Sequence, residues 1–168
     1  MQMMRTLTAL TLAMVALSVP TTAQINGVGN ACGFFSPNPD DTSGPTVVFF
    51  ADLSADEESA VTESPGSGRV DFQLDRATLK LSWTLTFKNL TSPPTGVHIH
   101  GPQTPGGEAG ILIDLAPGGV KSGVVGSSVL NDGLLAYLVQ DRMYVNLHTT
   151  KYPLGELRSP IKKARPKC

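Results

Sequence analysis

The sequence predicts an all-β fold, an antiparallel Greek-key β-barrel or sandwich of about seven to eight strands with at most one short helix. Two observations predict it. Apolar and polar residues alternate strictly over long stretches, which is the period of half-buried strands. Turn formers separate these stretches: the 168 residues include 17 glycines and 13 prolines. No linker or internal repeat interrupts the pattern, so one domain is expected.

Residues 46–53 form the first candidate strand. In residues 67–75, Val70, Phe72 and Leu74 point one way, while Arg69, Asp71, Gln73 and Asp75 point the other. In residues 78–88, Leu79, Leu81, Trp83, Leu85 and Phe87 alternate with Lys80, Ser82, Thr84, Thr86 and Lys88. The connection Asp75-Arg76-Ala77-Thr78 is short enough to make these two a hairpin. Residues 96–100 and 110–115 are further strands, separated by the Gly- and Pro-rich residues 101–107. Residues 131–140 carry an apolar cluster behind a capping Asn131 or Asp132 and supply the one helix. Residues 143–149 and 155–161 complete the strands.

Residues 1–23 read as a signal peptide. Arg5 gives the positive start, residues 7–19 the apolar core, and Pro20-Thr21-Thr22-Ala23 the small residues before Gln24. That apolar core is shorter than the roughly 20 residues a membrane helix needs. The mature chain is therefore expected to be secreted, or periplasmic in a bacterium, with no membrane span. Residues 24–45 are its N-terminal segment, 46–161 its body and 162–168 a basic tail. Of 13 basic residues only Arg5 lies in the leader, which leaves 12 against 14 acidic ones. This balance argues for no nucleic-acid partner. Lys162, Lys163, Arg165 and Lys167 read as a frayed, solvated end.

Cys32 and Cys168 are the two cysteines. In an oxidising compartment they are expected to pair, closing a long loop at a gain of roughly 5 kcal/mol; the other reading is a free thiol at Cys168. Asn89-Leu90-Thr91 is a glycosylation sequon, which has meaning in a eukaryotic source.

The chain has three histidines. His98 and His100 flank Ile99 on one strand, so both share a face with Cα atoms about 6.6 Å apart. Val97 and Ile99 take the core face. On residues 143–149, Val145 and Leu147 face the core, and Tyr144, Asn146 and His148 face away. Three imidazoles with none spent in the core suit copper or zinc. The other reading is three surface histidines without a ligand.

Phe50-Ala51-Asp52-Leu53 with Glu57-Glu58, the alternating hairpin, Asn89-Leu90-Thr91, Val97-His98-Ile99-His100-Gly101-Pro102, Tyr144-Val145-Asn146-Leu147-His148-Thr149 and Gly155-Glu156-Leu157-Arg158 together resemble the CHRD domain, the module named after chordin. The resemblance runs from about Thr46 to Ile161. A more distant one joins it. Gly96-Val97-His98-Ile99-His100-Gly101 is similar to the glycine-flanked His-x-His of copper-zinc superoxide dismutases, which fold as eight-stranded Greek-key barrels.

The dismutase resemblance implies one copper ion per chain on His98, His100 and His148, with no zinc. It also implies a catalytic Arg158 that attracts superoxide, the small-molecule substrate. The products would be dioxygen and hydrogen peroxide. The bridging histidine and the zinc-ligand segment of those enzymes have no counterpart here. Arg158 could instead pair with Glu156 or with a loop carboxylate. The alternatives to a dismutase are a non-catalytic extracellular CHRD binding module and a copper carrier. Residues 101–110 and 117–128 are the candidate loops for covering the site. A cupin-type oxygenase is disfavoured because the first carboxylate after His100 is Glu108, too far downstream, and no Gly-x-Ser-x-Gly elbow supports hydrolysis.

Overall fold

The computed structural model describes residues 45–104 and 107–164. The predicted signal peptide lies outside these residues, as do Cys32, Cys168, Arg165 and Lys167, so the expected disulfide falls outside them too.

Among the described residues there are nine strands and one α-helix: β1 (Thr46–Leu53), β2 (Ser67–Asp75), β3 (Lys80–Lys88), β4 (Pro94–His100), β5 (Ile111–Asp114), β6 (Val124–Val129), α1 (Asp132–Val139), β7 (Tyr144–Thr149), β8 (Leu157–Pro160) and β9 (Lys162–Lys163). A 3₁₀ turn, Ala55–Glu57, follows β1. The strands form two antiparallel sheets, one in the order β6-β3-β2-β1-β9 and the other β5-β4-β7-β8.

The alternation works as the sequence requires. Val70, Phe72 and Leu74 of β2 and Leu81, Trp83 and Leu85 of β3 are buried in the core. Val97 and Ile99 of β4 and Val145 and Leu147 of β7 meet them from the second sheet. The β2–β3 hairpin closes with Asp75 opposite Lys80. The Asp75 carboxylate accepts from the backbone N–H groups of Ala77 and Thr78, an Asx-type turn that Leu79 leaves at φ +55°. Asn131 caps α1, its side chain accepting from the N–H of Leu134 at 2.9 Å.

Three expectations need correction. Residues 117–128 do not lie over the histidines, because Val124–Val129 pairs with β3 at the edge of the larger sheet. This strand escapes a hydrophobic-alternation reading because its inward positions are Val124, Gly126 and Ser128. Gly126 faces Trp83 so closely that a Cβ would stand 2.6 Å from the indole. The basic tail also begins as structure, with Lys162 and Lys163 paired to Phe50 and Phe49 of β1. Finally, of the expected barrel or sandwich the described residues give two sheets, with no closure into a dismutase-like barrel among them. They are joined at one margin by a single bridge, Ser54 to Arg158, and the architecture is a two-sheet all-β fold with one short α-helix. No helix among the described residues is long and apolar enough to cross a membrane.

Candidate metal centre

The outer face of the four-stranded sheet carries the three histidines. In the β4–β7 register His148 lies opposite Gly96, Asn146 opposite His98 and Tyr144 opposite His100. Gly96 is what lets His98 lean towards His148, since a Cβ at that position would stand 2.7 Å from His98 Cε1. The ring centroids are 5.1 Å apart for His98 and His148, and 5.8 Å for each pair that includes His100. One ring nitrogen from each lies within 4.8 Å of the others. Nitrogens around a single tetrahedral ion stand about 3.3 Å apart, so side-chain rotations of roughly an ångström complete the set.

The hydrogen bonds say which nitrogens these are. His100 Nδ1 lies 2.9 Å from the carbonyl oxygen of Ala109, and His148 Nδ1 lies 3.1 Å from that of Pro153. A carbonyl only accepts, so each Nδ1 carries the proton and each Nε2 keeps its lone pair. His100 Nε2, His148 Nε2 and His98 Nδ1 are buried without a hydrogen-bond partner. Buried nitrogens rarely go unpaired. Three histidines grouped in this way, two of them with an Nε2 lone pair left free, could hold a metal ion. Burial lowers the proton affinity of His98, and it brings His148, beside His98 and His100, down to about 4. Neutral imidazoles at ordinary pH are the form that binds metal.

The face is not open to solvent as alternation alone suggests. Tyr144 and Asn146 are fully buried and His100 nearly so. Residues 107–110 provide part of the cover. Arg158 donates to Glu108 Oε1 from Nη1 at 3.0 Å and to the Gly107 carbonyl from Nη2 at 3.3 Å. Its guanidinium also lies 3.8 Å from the Tyr144 ring centre. Arg158 thus pairs with a loop carboxylate rather than with Glu156. Glu156 is fully buried and accepts from Ser64, Thr91 and Thr149.

Glu58, noted in the sequence only as part of a motif, has a chemical role at the edge of this face. Its Oε1 and Asn146 Oδ1 are both buried acceptors without partners, and both crowd Gly155. Gly155 has φ +141° and no room for a side chain, as a Cβ there would stand 2.5 Å from Glu58 Oε1. Burial pushes the Glu58 carboxyl up to about 7, with the Glu108 charge adding to the rise and Arg158 opposing it. Protonation of Glu58 would put a donor beside two acceptors that otherwise have none. A raised carboxyl pKa stabilises the fold below the ordinary value of 4.5, and that contribution is lost as pH rises through about 7. Glu58→Gln, which keeps a donor at every pH, should match the parent at about pH 5. It should exceed the parent by about 1–2 kcal/mol at about pH 8, a figure discounted for partial exposure. Denaturant unfolding at the two pH values checks this, and an equal difference at both would refute it.

The sequence points to His98, His100, His148 and Arg158, and the structure brings all four to one face. The sequence does not disclose the contributions of Gly96, Glu58, Glu108 and Gly155. Only Tyr144 and Asn146 were readable, from their shared parity with His148.

Residues 49–161 match the family model of the CHRD domain. No curated protein matches the chain. The family match, not a dismutase one, overturns the expectation of a superoxide dismutase. CHRD domains are known as non-catalytic binding modules, and the described residues hold one three-histidine group with no dismutase ligand set around it. Arg158 is enclosed and ion-paired, its side chain 6% exposed, rather than presented to a diffusing anion. The donor set suits imidazole-preferring ions in general and does not single out copper. With the match covering most of its length, the chain belongs to the CHRD domain family.

Proposed function

We propose that this chain is an exported, non-catalytic CHRD binding module that holds one imidazole-preferring transition-metal ion on His98, His100 and His148. The observation that carries the reading is the convergence of three buried, unpartnered ring nitrogens on one face. Two of the rings are oriented from behind by backbone carbonyls, as metal-ligating histidines usually are. The ion supplies charge and a fixed coordination geometry. The protein supplies three neutral donors, held in place by the sheet and partly shielded from water.

Titration of the purified protein with zinc(II) and copper(II), each against a competing chelator, tests this. One equivalent should bind, and none should bind to the triple variant His98→Ala/His100→Ala/His148→Ala. At a free ion concentration about 100 times Kd, the loaded protein should gain about 2.7 kcal/mol of stability. The loaded protein should not turn over superoxide. Absence of any saturable site would overturn the metal reading.

A further inference from the structure

We infer that Tyr144 and Glu108 are positioning residues for the metal centre, acting on His100 through the carbonyl of Ala109. The inference rests on the three-histidine reading and concerns how one of its donors is prepared. His100 is the most buried of the three, 7% exposed, and its Nδ1 is held by the Ala109 carbonyl at 2.9 Å. That carbonyl belongs to a connection, not to a strand, so something must fix it.

The Tyr144 hydroxyl does so with both of its capacities. It accepts from the Ala109 backbone N–H at 3.0 Å and donates to Glu108 Oε2 at 3.1 Å. Glu108 is fixed in turn by Arg158, at 3.0 Å, and by the Ser59 hydroxyl. Its carboxyl is held below the usual range, chiefly by Ser59, with Tyr144 and Arg158 adding to the effect against partial burial.

The aromatic ring works from the same place. Sheet order sets His100 on one side of Tyr144 and Arg158 on the other. The His100 ring stacks on Tyr144 at 5.1 Å and 12°, and the Arg158 guanidinium covers the ring at 3.8 Å. The phenol therefore fixes both the plane of the imidazole and the carbonyl that selects its tautomer. Neither Tyr144 nor Glu108 belongs to the donor group itself. Their effect is to keep the proton on Nδ1 and the lone pair on Nε2.

The test compares parent, Tyr144→Phe and Glu108→Gln by ¹⁵N NMR of the histidine rings, without metal, at about pH 8. Zinc(II) affinity is measured on the same samples. The parent should show His100 as a single Nδ1–H tautomer. Tyr144→Phe should mix the two tautomers of His100, leave His148 unchanged, and weaken zinc binding about 10- to 100-fold. Glu108→Gln keeps the side-chain shape at an exposed position, so it should fold even if the phenylalanine variant does not, and it should shift His100 in the same direction by less. A single unchanged His100 tautomer in both variants would overturn the inference, whatever happens to affinity. No zinc binding by the parent, with the tautomer shift still present in the variants, would sink the metal reading and leave only the orienting of His100 by Tyr144 and Glu108.

Discussion

Replacing His148 by alanine should lower the affinity for a bound transition ion by more than about 100-fold while the domain stays folded. Residues that only orient a ligand contribute about 10- to 100-fold, and His148 offers a donor nitrogen directly. Within the protein its ring makes one hydrogen bond, to the Pro153 carbonyl, so the fold loses little. The metal-free proteins should also differ in acid. A histidine depressed to about 4 in the fold takes up a proton in the unfolded chain first, so the parent loses stability as pH falls from 6.5 towards 4. His148→Ala should lose less over that window. Chelator competition and acid titration of stability give the two readings, and parental affinity in the variant would remove His148 from the donor set.

The largest effect on stability should come from Glu156→Ala. Its fully buried carboxylate accepts from Ser64 Oγ at 2.6 Å, Thr91 N at 2.8 Å, Thr91 Oγ1 at 2.9 Å and Thr149 Oγ1 at 2.6 Å. These donors come from the β1–β2 connection, the β3–β4 connection and the end of β7, so one side chain ties three segments together. Burial alone would raise this carboxyl, yet the hydrogen bonds from Ser64, Thr149 and Thr91 hold it below the usual range. Its contribution is therefore present above pH 4.5 and is lost as pH falls through its folded value. Alanine leaves one buried donor, the Thr149 hydroxyl, and three half-buried ones unsatisfied, at about 1–3 kcal/mol each before relief by water. A net loss of about 4 kcal/mol, or about 15 °C in Tm, is expected near neutral pH. A loss below about 1 kcal/mol would show that the cluster contributes little.

What the sequence made legible follows from period. β2 stands where alternation put it, at Ser67–Asp75, and β1 at the candidate strand Thr46–Leu53. The same alternation put His98, His100 and His148 on one face, because Val97, Ile99, Val145 and Leu147 had to take the core. β6 was illegible because its inward side is small, shaped to fit Trp83 rather than to bury apolar area. The cover of the site was illegible for another reason. Glu108 and Glu58 reach it from irregular connections, where no period links a residue to a face. Arg158 shows the limit of order along the chain: its place after His148 suggested an anion guide, while its surroundings make it the partner of Glu108 and the ceiling of Tyr144.

Zinc K-edge absorption of the protein carrying one equivalent of the ion measures the donor set directly. Three imidazole nitrogens at about 2.0 Å are expected, with the characteristic outer scattering of histidine rings, and the signal should be lost in the triple histidine variant. An oxygen-only shell, or the same spectrum from the triple variant, would contradict it.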